Sequence, residues 1–348
     1  MRAYFLLISP PFLRTFAFQI QIYDIKMYQE EVIKQPQFLQ KGDKVAVISP
    51  AYWIDEDVLL QTAEIIKSWG LVPVIGKNTN KQDVEAYAGT AKDRAADLRW
   101  ALENDDIKAI ICSRGGYGSI HLLTRISLAL YNQHPKWLIG HGDITILLSA
   151  QNAAGVMSIH GPMALQIAGG QQLYTNQLRD VLFGIIPKYE IPGNKNNHPG
   201  RATGHLVGGN LSSFSALAGT RYHISQEHNI ILFIEEMEES LHAIDRLFYM
   251  LRLQGDLERV TGIILGEFFA IRHDLQFDSV EEMLSKHIQI PEIPVCCGFP
   301  AGRNTCIPLI MGAPVELDVT KDHATLTFQM RGEQHNYWID KSEKQLLK

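Results

Sequence analysis

Residues 109–123 have the sequence AIICSRGGYGSIHLL, and they carry the clearest structural signal in the chain. An apolar run ends near Cys112, three glycines follow within four residues, and Ser119 then precedes a second apolar run. Glycine allows the backbone to turn tightly at positive φ. The pattern predicts a buried strand, a sharp turn and a helix over 120–130, with the Ser119 side chain exposed at the turn.

The same alternation of strands and helices continues on both sides of this turn. Short β-branched runs predict buried parallel strands, and apolar residues three or four apart predict helices. The predicted strands are 44–50, 72–75, 109–112, 137–140 and 156–160, and the predicted helices are 55–69, 94–102, 120–130 and 144–153. The fold class is therefore α/β, with an N-terminal doubly wound, flavodoxin-like parallel sheet whose ligands bind at the carboxyl ends of its strands.

The second half of the chain has a different pattern. Beyond a polar stretch rich in Gly and Asn we expect strands at 230–234 and 262–265, a helix over 241–254 and a β-rich tail over 315–339. The predicted organisation is an N-terminal extension that is non-native or disordered (1–35, with Met27 as an alternative start), a nucleophile-bearing domain (36–165), a linker (166–200) and a β-rich α/β domain (201–348).

Composition excludes several classes of protein. The 348 residues are 46% hydrophobic and 20% charged, with a net charge of −6, which is ordinary for a soluble globular protein and lacks the basic character of nucleic-acid binders. No unbroken apolar run of about 20 residues occurs, so we expect no membrane span. The four cysteines form no CxxC pair and no HExxH motif is present, so we expect a reducing compartment, no metal site and no cofactor.

The turn before Ser119 admits three interpretations. It resembles a nucleophile elbow, in which backbone N–H groups beside the serine bind an oxyanion. The usual elbow pattern is GxSxG, whereas here Gly116 and Gly118 precede the serine and His121 replaces the trailing glycine. A phosphate-binding loop or a helix-capping serine would fit the same residues.

Several further segments decide between these interpretations by their order and spacing. They are GDKVAVISPA (42–51), YAGTAKDRAADLRWAL (87–102), RGGYGS (114–119), GDIT (142–145), HGPM (160–163), GHLVGGNL (204–211), LFIEEMEESLHAIDR (232–246) and GFPAG (298–302). These segments lie between residues 42 and 302, and over residues 42–318 the chain resembles the LD-carboxypeptidase family, which includes the microcin-immunity peptidases.

The resemblance implies a Ser-Glu-His triad. It puts the nucleophile at Ser119 and the glutamate at Glu235, and the family's histidine position, after GFPxG, is Arg303. Arginine stays protonated and cannot act as a general base. Three explanations remain open: a catalytically weak homologue, a stand-in histidine, or a local sequence error or altered loop register. The stand-in candidates are His121, His141 and His160.

The resemblance also implies supporting roles and a function. The expected oxyanion-hole residues are Gly116 and Ile120, and the expected substrate-binding or loop-supporting residues are Gly115, Tyr117, Asp143, His160 and Asn210. The implied reaction cleaves an L,D peptide bond and typically releases D-Ala from murein tetrapeptide in cytoplasmic cell-wall recycling, in a homodimer without cofactor. The alternatives are a non-catalytic peptide-binding homologue and an amidohydrolase that acts on another peptidyl substrate.

Overall fold

The computed structural model describes residues 33–83, 85–223, 229–287 and 293–339. Most of the predicted N-terminal extension lies outside these ranges. Its last three residues belong to the fold, because Ile33 is buried and the Lys34 backbone pairs with Val156. Within the described ranges, no helix combines the length and apolar character needed to span a membrane.

A six-stranded sheet forms the first layer, in the order β11-β5-β4-β3-β1-β2. Its strands are β1 (Lys44–Ile48), β2 (Val72–Ile75), β3 (Ile107–Cys112), β4 (Trp137–Gly140), β5 (Ser158–His160) and β11 (Leu309–Met311). The first five are parallel, in the order 2-1-3-4-5 of flavodoxin-like folds, which confirms the predicted doubly wound sheet. The edge strand β11 is antiparallel to β5 and was not predicted, because its three residues are too short for a periodic signal.

Helices cover both faces of this sheet. They are α1 (Glu56–Ser68), α2 (Ala91–Glu103), α3 (Leu128–Gln133) and α4 (Thr145–Ala153). Side chains alternate across β1, so that Val45 and Val47 enter one core with α1, whereas Ala46 and Ile48 enter a second core with α2 and α4. This period of two is what a strand buried on both faces requires.

The helix predicted over 120–130 is wrong in form. A single 3₁₀ turn covers Ser119–Leu122, and α3 begins only after Ser127, whose backbone is extended (φ −79°, ψ 147°). Leu122 and Ile126 are both buried, as a helix would place them. The bridging turns bring them inward with short-range backbone bonds, such as Arg125 N–H to the Leu122 carbonyl at 2.9 Å. The spacing of apolar residues therefore predicted correctly which side chains are buried. It did not predict that the segment is divided into a 3₁₀ turn and a separate short helix.

An eight-stranded sheet forms the second layer, in the order β10-β9-β8-β7-β12-β13-β6-β14. Its strands are β6 (Ile185–Pro192), β7 (Gly200–Asn210), β8 (Ile230–Met237), β9 (Val260–Phe269), β10 (Val295–Cys297), β12 (Pro314–Val319), β13 (His323–Phe328) and β14 (Glu333–Trp338). The accompanying helices are α6 (Gln172–Leu182), α7 (Leu211–Ser215), α8 (Leu241–Leu253) and α9 (Val280–His287). The short helix α5 (Ala164–Ala168) packs against α1 of the first layer, where Thr62 Oγ1 donates to the Ala164 carbonyl at 3.1 Å. Strands β7 to β10 are mutually parallel, so their carboxyl ends lie along one edge.

The segment predicted as a linker, 166–200, is structured. It contains α6 and β6, and β6 pairs with β13 and β14 inside the second sheet. Ile186, Tyr189 and Ile191 are buried. Pro187 inside this strand and Pro192 at its end obscured its apolar pattern in the sequence, because proline is uncommon inside sheets. The boundaries of the two domains stay a prediction.

Candidate active site

The predicted site residues lie at the carboxyl ends of strands in both sheets. The turn with Ser119 follows β3, His141 follows β4, and Glu235 lies near the end of β8. The two groups meet where the Asn210 backbone N–H donates to Thr145 Oγ1 at 3.1 Å. Strand ends of parallel sheets are where ligands bind in such folds, so this arrangement is suited to a site.

The turn that carries Ser119 depends on glycine. Gly118 has a left-handed backbone (φ 118°), and Gly116 has φ 117°. The Ser119 backbone N–H donates to Asp143 Oδ2 at 2.8 Å, which ties the turn to the loop after β4. The predicted exposure of Ser119 is wrong: its side chain is fully buried, because the loop with Asp143 and the helix with Arg94 pack against the turn.

The Ser119 hydroxyl is not engaged by any base. It faces the Asp143 carboxylate but forms no hydrogen bond of normal geometry with any described residue. Burial raises the pKa of Asp143, while hydrogen bonds from Ser119 and Gly118 act in the opposite direction. Asp143 therefore holds the backbone of the serine turn, and its carboxylate is also the described group that the Ser119 hydroxyl faces.

Arg94 supports the same turn from α2, and sequence analysis assigned it no role. Its Nη1 donates to the Gly118 carbonyl at 2.9 Å and to the Pro50 carbonyl at 2.7 Å. The guanidinium lies over the Tyr87 ring, 4.8 Å from its centroid, and the side chain is buried. The sequence offered one signal for this role: Arg94 lies one helical turn before the buried Leu98, on the same face of the helix. An arginine on a buried face needs hydrogen-bond acceptors inside the protein.

Two adjacent glutamates, Glu235 and Glu236, are both buried near the end of β8. Neighbouring residues of a strand normally face opposite sides, and a register shift between Ile234 and Glu236 accounts for the exception. Glu236 is fully bonded: it accepts from Asn210 Nδ2 at 2.7 Å, Ser212 N at 2.8 Å, Ser212 Oγ at 2.5 Å and its neighbour Met237 N at 2.9 Å. It therefore fixes the start of α7.

Glu235 has the opposite character. Its Oε1 is buried and has no hydrogen-bond partner among the described residues. Burial raises its pKa well above the usual value, the charges of Glu236 and Glu267 add to this shift, and Asn210 and Arg303 act against it. Since the protonated acid is favoured, this carboxyl is the group of the pair that is available for chemistry.

Arg303 lies on an exposed loop. Its Nη1 is 3.6 Å from Met237 Sδ, and it forms no ion pair with Glu235 or with any other described carboxylate. Glu267 holds the loop instead, accepting from the Asn304 backbone N–H at 2.6 Å, from Asn304 Nδ2 at 3.0 Å and from the Thr305 N–H at 3.3 Å. The loop conformation therefore does not depend on the side chain at 303.

Two of the three candidate stand-in histidines are engaged elsewhere. His141 Nδ1 donates to the Gly161 carbonyl at 3.1 Å, and burial lowers the pKa of His141 to about 4. Cys306 Sγ lies 3.3 Å from the same nitrogen, and burial keeps this thiol protonated by raising its pKa. His121 Nδ1 is 3.4 Å from Arg94 Nη2.

His160 is the third candidate. It is fully buried against Phe233, at 4.9 Å between ring centroids, and neither ring nitrogen has a described partner. Burial lowers its pKa well below the usual value. No imidazole in the described ranges is hydrogen bonded to the Ser119 hydroxyl.

The other predicted site residues surround the serine turn. Gly116 lies against the Tyr52 ring so closely that a Cβ there would overlap it, and its N–H donates to no described acceptor. Gly115 lies beside the His141 carbonyl, Ile120 sits in the 3₁₀ turn, and Tyr117 is 51% exposed. No group of three or more His, Cys, Asp and Glu in the described ranges has the arrangement of a metal site.

Comparison with known proteins identifies the family. A model of the LD-carboxypeptidase N-terminal domain matches residues 45–161, and one of the LD-carboxypeptidase C-terminal domain matches residues 203–317. The chain belongs to the LD-carboxypeptidase family. It is therefore a member of a peptidase family, and the site described above lies in the shared region.

Relatives of this LD-carboxypeptidase cover nearly its full described length. A putative carboxypeptidase of Synechocystis is 35% identical over 84% of this chain and 97% of its own. The probable murein peptide carboxypeptidase of Bacillus subtilis is 31% identical over 84% and 94%, and the murein tetrapeptide carboxypeptidase of Pseudomonas aeruginosa is 31% identical over 75% and 88%. The crystal structure of muramoyltetrapeptide carboxypeptidase from Oxalobacter formigenes shares the two-domain α/β fold, with a TM-score of 0.76, 24% identity and coverage of 83% and 99%.

Proposed function

We propose that this LD-carboxypeptidase is a serine-type enzyme that cleaves the bond between an L-configured centre and a terminal D-amino acid. Its typical substrate would be murein tetrapeptide, which loses D-Ala during cell-wall recycling in the cytoplasm. The names of the relatives from Bacillus subtilis and Pseudomonas aeruginosa support this substrate class. The observation that carries the proposal is a buried Ser119 hydroxyl that faces the Asp143 carboxylate on a glycine-dependent turn.

In the proposed reaction, Ser119 Oγ attacks the carbonyl carbon of the scissile amide. The C–N bond breaks, the D-amino acid leaves with the proton, and an acyl-enzyme ester forms on Ser119. Water then hydrolyses the ester. The backbone N–H groups of Gly116 and Ile120 would stabilise the oxyanion, and the N–H of Gly116 has no competing acceptor among the described residues.

The proposed mechanism has a weak point at the general base. An imidazolium beside Glu235 would lower the raised pKa of this carboxyl, so that the carboxylate could orient and stabilise it as the acid of a triad does, but no described imidazole is bonded to Ser119. Arg303 cannot take the proton. Loss of the histidine alone costs on the order of 10⁶ in turnover in a Ser-His-Asp enzyme, so we expect slow hydrolysis in this chain.

The same observation favours a second candidate function, a peptide-binding homologue. Such a protein would hold the muropeptide in the cleft without cleaving it. Arg303 is exposed and unpaired among the described residues, so it would be available to a substrate carboxylate. A third candidate, an amidohydrolase for other peptidyl substrates, would differ in the leaving group and not in the acyl-enzyme step.

The experiment incubates the purified chain with murein tetrapeptide and quantifies tripeptide and free D-Ala by mass spectrometry. We expect slow product formation that Ser119→Ala abolishes. Tight binding with no product would instead support the peptide-binding homologue.

Two further variants locate the base. Arg303→His should raise turnover. If the loop holds that new histidine in a poor position, turnover should instead rise when imidazole is added to the Arg303→Gly variant. Arg331→His is the matched control, because it also replaces an exposed arginine by histidine but lies in the turn between β13 and β14. An equal gain from Arg331→His would contradict the assignment of position 303 to the base.

The proposal also includes assembly. We expect a homodimer, as the family resemblance implies, and light scattering coupled to gel filtration measures it directly. A monomer at micromolar concentration would refute this part of the proposal and leave the chemistry unaffected.

A further inference from the structure

Arg114, directly before the glycine turn, has an unpaired guanidinium. The side chain is partly buried, and its Nε is inaccessible to solvent and has no hydrogen-bond partner. Across the described ranges, no carboxylate or carbonyl accepts from its other nitrogens either. Burying part of a cation without an acceptor is unfavourable, so a guanidinium in this position is matched to an acceptor supplied from outside the chain.

The position of Arg114 is fixed by the aromatic ring of Tyr52. The guanidinium carbon lies 5.8 Å from the ring centroid, and the edge of the same ring formed by Cγ, Cδ2 and Cε2 lies directly against Gly116. Arg114, Tyr52 and Gly116 are therefore adjacent, beside the turn that carries Ser119. A cation held against a ring loses less freedom on binding than one on a flexible stem.

The two other arginines near the turn do not share these properties. Arg94 is fully used, because its Nη1 donates to the carbonyls of Pro50 and Gly118. Arg303 lies on an exposed loop, and its one described contact is the sulfur of Met237. Arg114 alone of these three arginines combines partial burial, a fixed position and unused donors.

We propose that Arg114 binds the free α-carboxylate of the terminal D-residue of the substrate. This inference rests on the proposed function, since it assigns the residue that would restrict the reaction to chain ends. The terminal carboxylate is separated from the scissile nitrogen by a single Cα atom, so its partner must lie next to the oxyanion turn, where Arg114 is. Guanidinium matches a carboxylate through two parallel hydrogen bonds, a geometry that lysine lacks.

The test measures binding in a Ser119→Ala background, which removes cleavage. Isothermal titration compares murein tetrapeptide with the same peptide as its C-terminal amide. Breaking a buried charge pair weakens binding by about 30- to 1,000-fold, so the acid should bind more tightly than the amide by that factor. Arg114→Gln should bring the acid to the affinity of the amide, and Arg114→Lys should restore only part of the difference.

Arg303→Gln is the matched control, because Arg303 is the rival partner for the carboxylate. It should leave the preference for the acid intact. If Arg303→Gln removes the preference and Arg114→Gln does not, the assignment to Arg114 is overturned while the proposed function stands. If the Ser119→Ala protein binds neither peptide and the unmodified chain cleaves neither, the proposed function and this inference fail together. Circular dichroism of each variant verifies the fold.

Discussion

Replacing Gly118 by alanine should damage the serine turn in a way that can be calculated from the structure. Gly118 has φ 118°, and an added Cβ would lie 2.8 Å from Tyr87 Cε1 and 2.9 Å from Arg94 Nη1. Neither neighbour can move freely. Arg94 is held by two carbonyls, and Tyr87 lies under its guanidinium. The substitution therefore combines backbone strain with crowding.

The magnitude follows from three contributions. A left-handed backbone costs an alanine about 1–2 kcal/mol relative to glycine. Overpacking against fixed neighbours adds about 1–3 kcal/mol. Because alanine reduces the conformational entropy of the unfolded chain, it stabilises the fold by about 0.4–1 kcal/mol in the opposite direction. The expected net loss of unfolding free energy is about 3 kcal/mol at Gly118.

Gly170→Ala is the matched control. Gly170 also has a positive φ (81°), but no atom lies within 4 Å of its added Cβ, so only strain and unfolded-state entropy apply. Its expected loss is about 1 kcal/mol or less. The difference of about 2 kcal/mol corresponds to roughly 4–8 °C in the midpoint of thermal unfolding. Equal midpoints for the two variants would refute the crowding that we infer from Tyr87 and Arg94.

Three further predictions concern titratable groups of the site. The folded-state pKa of Glu235 is raised, so its contribution to stability is present below about pH 4.5 and is lost as the pH rises through the raised value. The melting temperature of Glu235→Gln should therefore exceed that of the unmodified chain by a margin that grows from pH 4.5 to pH 8. A constant margin would contradict this reasoning. Glu236→Gln should lower the free energy of unfolding by about 2–4 kcal/mol at pH 7, measured by chemical denaturation, because the hydrogen bonds from Ser212 and Asn210 lose their charged acceptor. An unchanged denaturation midpoint would exclude this stabilising role of Glu236. His141 should titrate near pH 4 by NMR, and a change in its ring signals between pH 6 and 8 would show that burial does not keep it neutral.

Much of the fold could be predicted because each parallel strand of the first sheet carries a complete local signal. Strand β1 is a short apolar run that ends at Pro50, and β3 ends at a glycine turn. Residues that end a strand, such as proline and glycine, can be recognised from a few consecutive positions in the sequence. The antiparallel strand β11 has no comparable signal, since its pairing with β5 depends on contacts with residues about 150 positions away in the chain.

The sequence predicted which strand ends carry the candidate residues, but not the contacts that those residues make. The sequence EEMEE over 235–239 contains four similar carboxylates, and nothing in their order separates an unbonded acid from a structural one. The register shift after Ile234 distinguishes the two acids, because it buries Glu235 and Glu236 together. The hydrogen-bond donors inside the fold then bond to Glu236. The anchoring of the serine turn by Arg94 and Asp143 likewise depends on packing between distant elements.

The loop at 303 keeps its conformation without contributions from the side chain at that position. Glu267 fixes the loop through the backbone and side chain of Asn304 and the backbone of Thr305, whereas the side chain of Arg303 extends into solvent. Substitution at an exposed position away from such contacts changes stability by no more than about 0.5 kcal/mol. Stability therefore places no constraint on residue 303, and only chemistry does. Because Ser119 and Glu235 are held by contacts that do not involve residue 303, a histidine introduced at this loop should leave the positions of both residues unchanged.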